Sequence, residues 1–389
     1  MTRVLFVDDE PRVVAGLARM VRTRHDWEVR LAHNGTQALE AAASAPLDAI
    51  VSDVRMPGLD GVALLSEMRR LHPAVARIVL TGHTERGAAL RSVGVAHQWL
   101  AKPCGLAELV GAVQAACALQ SRLHNREVRE ALGRVGSLPS PPAVVLELNA
   151  LVEKEDADLD QVARLISSEQ AMTAKVLQLV NSAFFGLAQP MLSIRQALGY
   201  LGLDLVRELT VTTGVFATAE GACPLAGGFV ERLRAHSNAV AMVAAELTGQ
   251  GPLRQAAYMA GLLHDIGWLV LLAQSPSKLR QLVQARERLG LQGDAAEREV
   301  LGAGHADVGA YLLSLWGLPS VVVEAVAYHH DLPVTAAPGD GLAAVVHRAD
   351  LLAQVDGSGL DVVEHLADHG VGRADHGAGR ADHGAGRAD

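Results

Sequence analysis

Cysteine is scarce in this sequence: only Cys104, Cys117 and Cys223 occur in 389 residues. They lie too far apart for a CxxC metal or redox motif, and three thiols make no disulfide framework, so a reducing compartment is expected. Aromatic residues are equally thin, at 3%, although half of the chain is hydrophobic. Such aliphatic, alanine-rich composition fits packed helices better than a β-sandwich. Positive charge is also in deficit, with 34 Lys and Arg against 43 Asp and Glu and a formal net charge of −9. No basic stripe with interleaved aromatics and no helix-turn-helix with a basic recognition face is present, which argues against direct nucleic-acid binding. The chain enters an apolar strand at once, so no signal peptide is expected. No apolar stretch is expected to run uninterrupted for the roughly 18–20 residues of a membrane-spanning helix. These absences predict a cytoplasmic chain, off the membrane, with two or three domains.

What is present starts with four apolar runs in the first hundred residues, each ending on a group useful in phosphoryl chemistry. Val4–Val7 runs into Asp8-Asp9, Ala49–Val51 into Asp53, Ile78–Leu80 into Thr81, and Trp99–Ala101 into Lys102-Pro103. Helical stretches alternate with these runs at Pro11–Arg24, Gly35–Ala43 and Gly61–Leu71, as in βαβ units with a parallel sheet covered on both faces. Ligands of such sheets bind beyond the carboxyl ends of the strands. Three carboxylates, a hydroxyl and an ammonium are therefore expected in one crevice. Oxygen-only donors suit Mg²⁺. A carboxylate there can attack a phosphoryl donor, with Lys102 and Thr81 pairing the phosphoryl oxygens.

Val7–Glu10, the Asp53–Gly61 stretch Asp-Val-Arg-Met-Pro-Gly-Leu-Asp-Gly, Thr81-Gly82 and Lys102-Pro103 resemble the response-regulator receiver domain of two-component signalling. The resemblance covers residues 1–120. It implies a doubly wound α/β fold with strand order 2-1-3-4-5. It also implies Asp53 as phosphoacceptor, and Mg²⁺ held by Asp8, Asp9, Asp53 and the backbone carbonyl of Arg55. Thr81 becomes the switch hydroxyl, Lys102 the phosphate-pairing lysine and Trp99 the switch aromatic. From its position alone, Trp99 reads equally as a half-buried strand aromatic.

Gly105–His124 reads as one helix, with Leu106, Leu109, Val110, Val113, Ala116 and Cys117 at helical spacing. It runs on into the charged stretch Arg122–Arg134, expected as a solvated linker helix spanning 121–136. Leu138-Pro139-Ser140-Pro141-Pro142 then opens a new domain over 137–356. No strand alternation is expected there. Three- and four-residue apolar spacing marks helices over Val162–Val180, Ile194–Phe216, Phe229–Leu247, Leu253–Leu272 and His305–Trp316. This second domain is therefore expected to be all-α. Residues 357–389 carry the repeat Ala-Asp-His-Gly-Val/Ala-Gly-Arg every seven residues from Ala367. With no apolar a/d pair and two glycines per repeat, disorder is expected rather than a coiled coil.

His236, His264-Asp265, His305, His329-His330 and Asp350 form an ordered series in the helical domain. Imidazole and carboxylate suit a divalent transition metal. On one helix, His264 and Asp265 would project about 100° apart and flank a groove. The leading metal set is His236, His264, Asp265 and Asp350, with His305, His329 and His330 as weaker candidates. Leu138–Pro142, the box Asn181-Ser182-Ala183-Phe184-Phe185-Gly186, Leu201-Gly202, Leu262–Gly267, His305–Trp316 with Leu318-Pro319, and His329-His330 resemble the HDOD domain. That family is related to HD phosphohydrolases but is regarded as a non-catalytic signalling module. Glu169-Gln170 stands where the family usually has Asp-Pro.

A rival resemblance is to the HD-GYP phosphodiesterases of cyclic di-GMP. Against it, Trp268 replaces the lysine expected after Asp-Ile-Gly, Asp331 stands where a glutamate ligand follows the paired histidines, and Leu332-Pro333 replaces Gly-Tyr-Pro. The resemblances together imply a response regulator that takes a phosphoryl group from a sensor histidine kinase. Its state would pass along the Gly105–Arg134 helix to an output acting on a downstream signalling protein, with a homodimer left open. The alternative is a receiver-gated, metal-dependent phosphohydrolase of cyclic di-GMP or another nucleotide.

Overall fold

Valine-, isoleucine- and leucine-rich runs with no polar face fit a sheet covered on both sides, and four of the first five strands behave this way, while the edge strand Trp27–Ala32 alternates buried and part-exposed residues. In the computed structural model the five are β1 (Thr2–Val7), β2 (Trp27–Ala32), β3 (Ala49–Asp53), β4 (Ala76–Gly82) and β5 (Gln98–Lys102). They form one parallel sheet in the expected order β2-β1-β3-β4-β5. The structure describes residues 2–22, 26–82, 92–117, 123, 126–136, 138–154, 157–187, 189–203, 205–206, 217–218, 226–251, 253–274, 281–282, 284–285, 294–332 and 341–355. Cys223 and the repeat tail lie outside them.

Helices α1 (Pro11–Arg22), α2 (Gly35–Ser44), α3 (Gly61–Leu71) and α4 (Leu106–Cys117) flank the sheet. Val14, Leu17, Ala18 and Val21 give α1 its buried stripe, at the spacing one helix face demands. Asn34 caps α2 by accepting from the Gln37 amide at 2.9 Å, and Asp60 caps α3 through Ala63 at 2.8 Å, each satisfying an otherwise orphaned donor. Gly61 allows α3 to start against the end of β3: a Cβ there would strike the carbonyl oxygen of Asp53.

Of the single helix expected over Gly105–His124, Leu106–Cys117 is helical, residues 118–122 lie outside the described residues, Leu123 is not helical, and α5 (Arg126–Arg134) is a separate element. It is not the solvated linker expected. Val128, Leu132 and Gly133 are buried, and the Arg77 guanidinium, itself buried under β4, donates to the Gly133 carbonyl at 2.6 Å. The charged residues of α5 occupy one face only, so its polar sequence hides an apolar docking stripe.

Beyond it come α6 (Pro142–Val152), α7 (Leu159–Ser167), α8 (Gln170–Val180), a 3₁₀ turn at Ala183–Phe185 and α9 (Ile194–Leu201). There follow α10 (Ala226–Leu247), α11 (Leu253–Leu263), α12 (Ile266–Gln274), α13 (Asp294–Leu301), α14 (His305–Leu315), α15 (Ser320–Tyr328) and α16 (Leu342–Val355). One short pairing departs from the all-α expectation: Pro139–Ser140 runs parallel to Ala217–Thr218. The pattern over Val162–Val180 is two helices, broken where Glu169 caps α8 by accepting from Met172 at 2.7 Å. Burial pushes the Glu169 carboxyl up to about 7. Past Val206, most of the helix expected over Ile194–Phe216 lies outside the described residues.

Leu253–Ala273 is, against expectation, long and apolar enough by length and composition to cross a membrane. Its most apolar 18-residue window is 89% buried inside the protein, and His264-Asp265 interrupt it, so it reads as a core helix pair. Gly267 opens α12 because a Cβ there would strike the His305 carbonyl oxygen at the start of α14.

The two regions share a seam. Lys175 Nζ on α8 donates to the carbonyls of Val93 and Gly136, both at 3.0 Å, and lies 4.7 Å above the Trp316 ring. Gln178 donates to His97 O at 2.9 Å, and Ser314 to Ala115 O at 2.6 Å. Among the described residues Lys175 is enclosed by carbonyls and the Trp316 ring, and burial pushes its pKa down to about 7.

Candidate functional site

Parallel pairing brings the carboxyl ends of β1, β3, β4 and β5 to one edge of the sheet, and with them Asp8, Asp53, Thr81 and Lys102. Lys102 Nζ lies 2.7 Å from Asp8 Oδ2 and 2.8 Å from Asp53 Oδ1. Asp8 and Asp53 are buried, Asp9 is exposed, and one oxygen of each lies within 4.8 Å of the others. Burial raises the Asp53 pKa against the opposing pull of Lys102. Burial would lower that of Lys102, but its hydrogen bonds to Asp53 and Asp8 raise it. Three converging oxygen donors fit a hard cation such as Mg²⁺. Thr81 is fully buried at the end of β4, and Arg55 is exposed two residues past Asp53. Trp99 is not half-buried: at 1% exposure it is enclosed, and its indole donates to Ser92 Oγ at 2.7 Å.

The helical domain gathers the whole histidine–aspartate series, from several helices. His236 comes from α10, Asp350 from α16, His305 from the first position of α14, and His329 and His330 from the end of α15. His264 and Asp265 do not project from one helix, as expected; they form the turn between α11 and α12. That turn aims both at the same point.

Three imidazoles have their tautomer set by an acceptor. His264 Nδ1 donates to Gly261 O at 2.7 Å, His329 Nδ1 to Val326 O at 2.7 Å, and His305 Nδ1 to Glu297 Oε2 at 2.7 Å. In the neutral ring each Nε2 is then a lone pair facing inward.

Asp265 divides the cluster. Its Oδ2 lies 3.3 Å from His264 Nε2 and 3.6 Å from His236 Nε2, which is 3.3 Å from both His264 Nε2 and Asp350 Oδ1. Its Oδ1 lies 3.1 Å from His305 Nε2 and 3.8 Å from His329 Nε2, while His305 and His330 Nε2 are 3.0 Å apart. Donors about 2.1 Å from one ion at ordinary angles sit roughly 3.0–3.4 Å from one another. His329 Nε2 is buried and has no hydrogen-bond partner, which a missing ligand explains. The donor set fits divalent transition metal on either side of Asp265. His305, His329 and His330, expected as weaker candidates, gather with Asp265, their ligand atoms within 4.8 Å of one another.

The electrostatics agree with a cation-seeking nest. Burial opposes charge on His264, yet Asp265 raises its pKa; His305 is likewise raised well above its ordinary value by Glu297 and Asp265. Burial works to raise Asp265, but His264 and His305 hold it well below the usual carboxylate range. Burial, then His330, pushes His329 well down.

Glu297 escaped the sequence reading. It is 2% exposed, and its Oε2 also accepts the His305 amide at 2.6 Å. In sequence it sits beside Arg298 in a charged run that reads as a solvated helix face, and no motif marks it. Trp268, at the position of an absent lysine, stacks on His305 at 4.9 Å and 20°.

The HDOD domain family matches residues 138–332, and the response regulator receiver domain matches residues 4–114. An uncharacterized protein of Treponema pallidum is 29% identical over 205 residues, covering 51% of this chain and 39% of that protein. The transcriptional regulatory protein PrrA of Mycobacterium tuberculosis is 40% identical over 116 residues, covering 29% of this chain and 48% of that protein. The chain thus spans less than half the length of these relatives. Among solved structures, the MmoQ response regulator of Methylococcus capsulatus str. Bath covers 61% of this chain and 94% of its own, at 24% identity and a TM-score of 0.48. With half of its length in the HDOD match and a receiver sheet in front of it, the chain belongs to the HDOD family as a receiver–HDOD fusion.

Proposed function

We propose that the protein is a response regulator of a cytoplasmic two-component pathway, in which Asp53 accepts a phosphoryl group and the HDOD domain passes the state to a protein partner. One observation carries this reading: the Lys102 ammonium bridges Asp8 and Asp53 at the strand ends. Asp8, Asp9, Asp53 and the Arg55 carbonyl would hold Mg²⁺, which supplies charge neutralisation when bound. An Asp53 oxygen attacks phosphorus on a histidine kinase's phosphohistidine. The P–N bond breaks, the imidazole leaves with its electron pair and takes up a proton, and an aspartyl phosphate forms. Lys102 then exchanges a carboxylate partner for a phosphoryl oxygen and Thr81 donates to another. The added charge shifts the equilibrium between two conformations of the switch region, Trp99 included.

The histidine–aspartate centre would hold a divalent transition metal through His236, His264, Asp265 and Asp350, joined by His305, His329 and His330. A phosphohydrolase role is the less favoured reading, because the apolar Trp268 indole fills the place of a phosphate-pairing lysine. The test is acetyl-phosphate labelling of the full chain: Asp53→Ala should abolish it, and persistent labelling would move the acceptor elsewhere.

A further inference from the structure

Helix α14 runs from the seam to the histidine centre. Helix α14 is eleven residues long and buried throughout, so it spans about 16 Å as one rod. Its first residue, His305, faces Asp265 Oδ1 at 3.1 Å and is anchored twice by Glu297. Its last turn meets the receiver: Ser314 donates to Ala115 O at 2.6 Å, and Leu315 O accepts from Gln98 Nε2 at 3.3 Å.

Gln98 is the first residue of β5, and Lys102, which pairs with Asp53, is its last. Five extended residues cover about 16 Å. Two stiff elements in series thus run from the phosphoacceptor to the metal-type centre: Asp53, Lys102, β5, Gln98, Leu315, α14, His305, Asp265. The register between β5 and α14 rests on few polar contacts. Close packing of Gly267 against α14 leaves the helix little room to deform internally. A displacement at one end must then appear at the other or be lost at the Gln98–Leu315 joint.

We propose that divalent-metal occupancy of the histidine–aspartate centre and phosphorylation of Asp53 are linked through β5 and α14, so that each changes the free energy of the other. This regulation rests on the metal reading given above. Linkage is reciprocal: whatever factor the phosphoryl group applies to metal affinity, metal applies to the equilibrium stability of the phosphoryl mimic complex.

The test uses the full chain with Mg²⁺ in excess. Zn²⁺ affinity is measured by chelator competition with and without beryllofluoride as the phosphoryl mimic. A change of at least about fivefold is expected, with the same factor in beryllofluoride affinity when Zn²⁺ is added. Ser314→Ala and Gln98→Ala, neither of which touches either site, should bring the ratio close to one while leaving Zn²⁺ affinity of the unmodified protein within about twofold. A thermal melt confirms that each variant is folded. Equal Zn²⁺ affinity with and without beryllofluoride overturns the linkage and leaves the metal reading standing. Absence of tight Zn²⁺ binding in both states overturns the metal reading and the linkage with it. A wild-type ratio that survives in both folded variants overturns the route through α14.

Discussion

The receiver pocket and the histidine centre both bury charged groups, yet they are assembled in opposite ways. In the receiver, each side chain sits at the end of a strand, and parallel pairing alone lines up the four ends. In the helical domain, seven side chains arrive from one helix start, one helix end, two helix middles and an interhelical turn. The first site is a consequence of topology; the second depends on how several helices pack. Charge is handled differently as well. The receiver sets an ammonium between two carboxylates, whereas the helical domain surrounds one carboxylate, Asp265, with imidazoles whose outer nitrogens are held by carbonyls and Glu297. On the proposed reading, the first would receive an anion on Asp53 and the second a cation.

Lys102→Ala is the sharpest way to break the comparison. Removing a preorganised electrostatic partner of the reacting oxygen should slow acetyl-phosphate labelling of Asp53 by about 100- to 1,000-fold. The Zn²⁺ content of the helical domain should stay unchanged. A loss of less than about tenfold would show that the ammonium does not stabilise the incoming phosphoryl group.

Next in size is a pH effect confined to the seam. Burial takes the folded-state pKa of Lys175 from 10.5 down to about 7. Between those values the unfolded chain carries a proton that the folded one lacks, so stability rises with pH across that window. Below about 7 both states are charged and the full burial penalty applies. Lys175→Met has no such proton. Wild-type stability minus that of the variant, from urea melts in chelator, should therefore rise from pH 7.5 to 9.5 by on the order of 1 kcal/mol per pH unit. A flat difference would mean that the Val93 and Gly136 carbonyls, with the Trp316 ring, keep the ammonium charged throughout.

These two lysines also mark the limit of what could be read from sequence. Lys102 follows an apolar strand and precedes a proline, so a period-two pattern and strand-end logic place it. Lys175 is the one charged residue of its helix, where nothing local says that it meets carbonyls from another domain. Strands β1, β3, β4 and β5 were legible as short apolar runs with polar ends, whereas the sheet order came from the family resemblance. The same reading failed at His264-Asp265, where an apolar run of helical composition turns a corner, because periodicity carries no signal for a change of axis between two buried helices. It failed at α5 because a strongly charged helix can still bury Val128 and Leu132. Glu297 was invisible for a related reason: a carboxylate beside an arginine reads as surface until tertiary packing sets His305 against it.

Glu297→Gln tests whether that carboxylate supports the histidine centre as Lys102 supports the receiver pocket. A glutamine oxygen can still accept from the His305 ring and amide, but it does not supply the negative charge that raises the basicity of the imidazole. Loss of such an outer partner usually lowers metal affinity by about 10- to 100-fold. Zn²⁺ competition should show that drop, with acetyl-phosphate labelling of Asp53 in Zn²⁺-free protein unaltered. An affinity within about twofold of wild type would make Glu297 a cap for the start of α14 and nothing more.

The smallest effect is a control that separates stability from either site. Asn34 accepts from the Gln37 amide at the start of α2, on the receiver two residues beyond β2. Asn34→Ala removes that acceptor and should destabilise the fold by about 1 kcal/mol in urea denaturation. Neither labelling nor Zn²⁺ affinity should move. If a cap loss of this size changed either one, general loosening of the domain would account for the responses of the site variants, and the division between a topology-built pocket and a packing-built centre would lose its experimental footing.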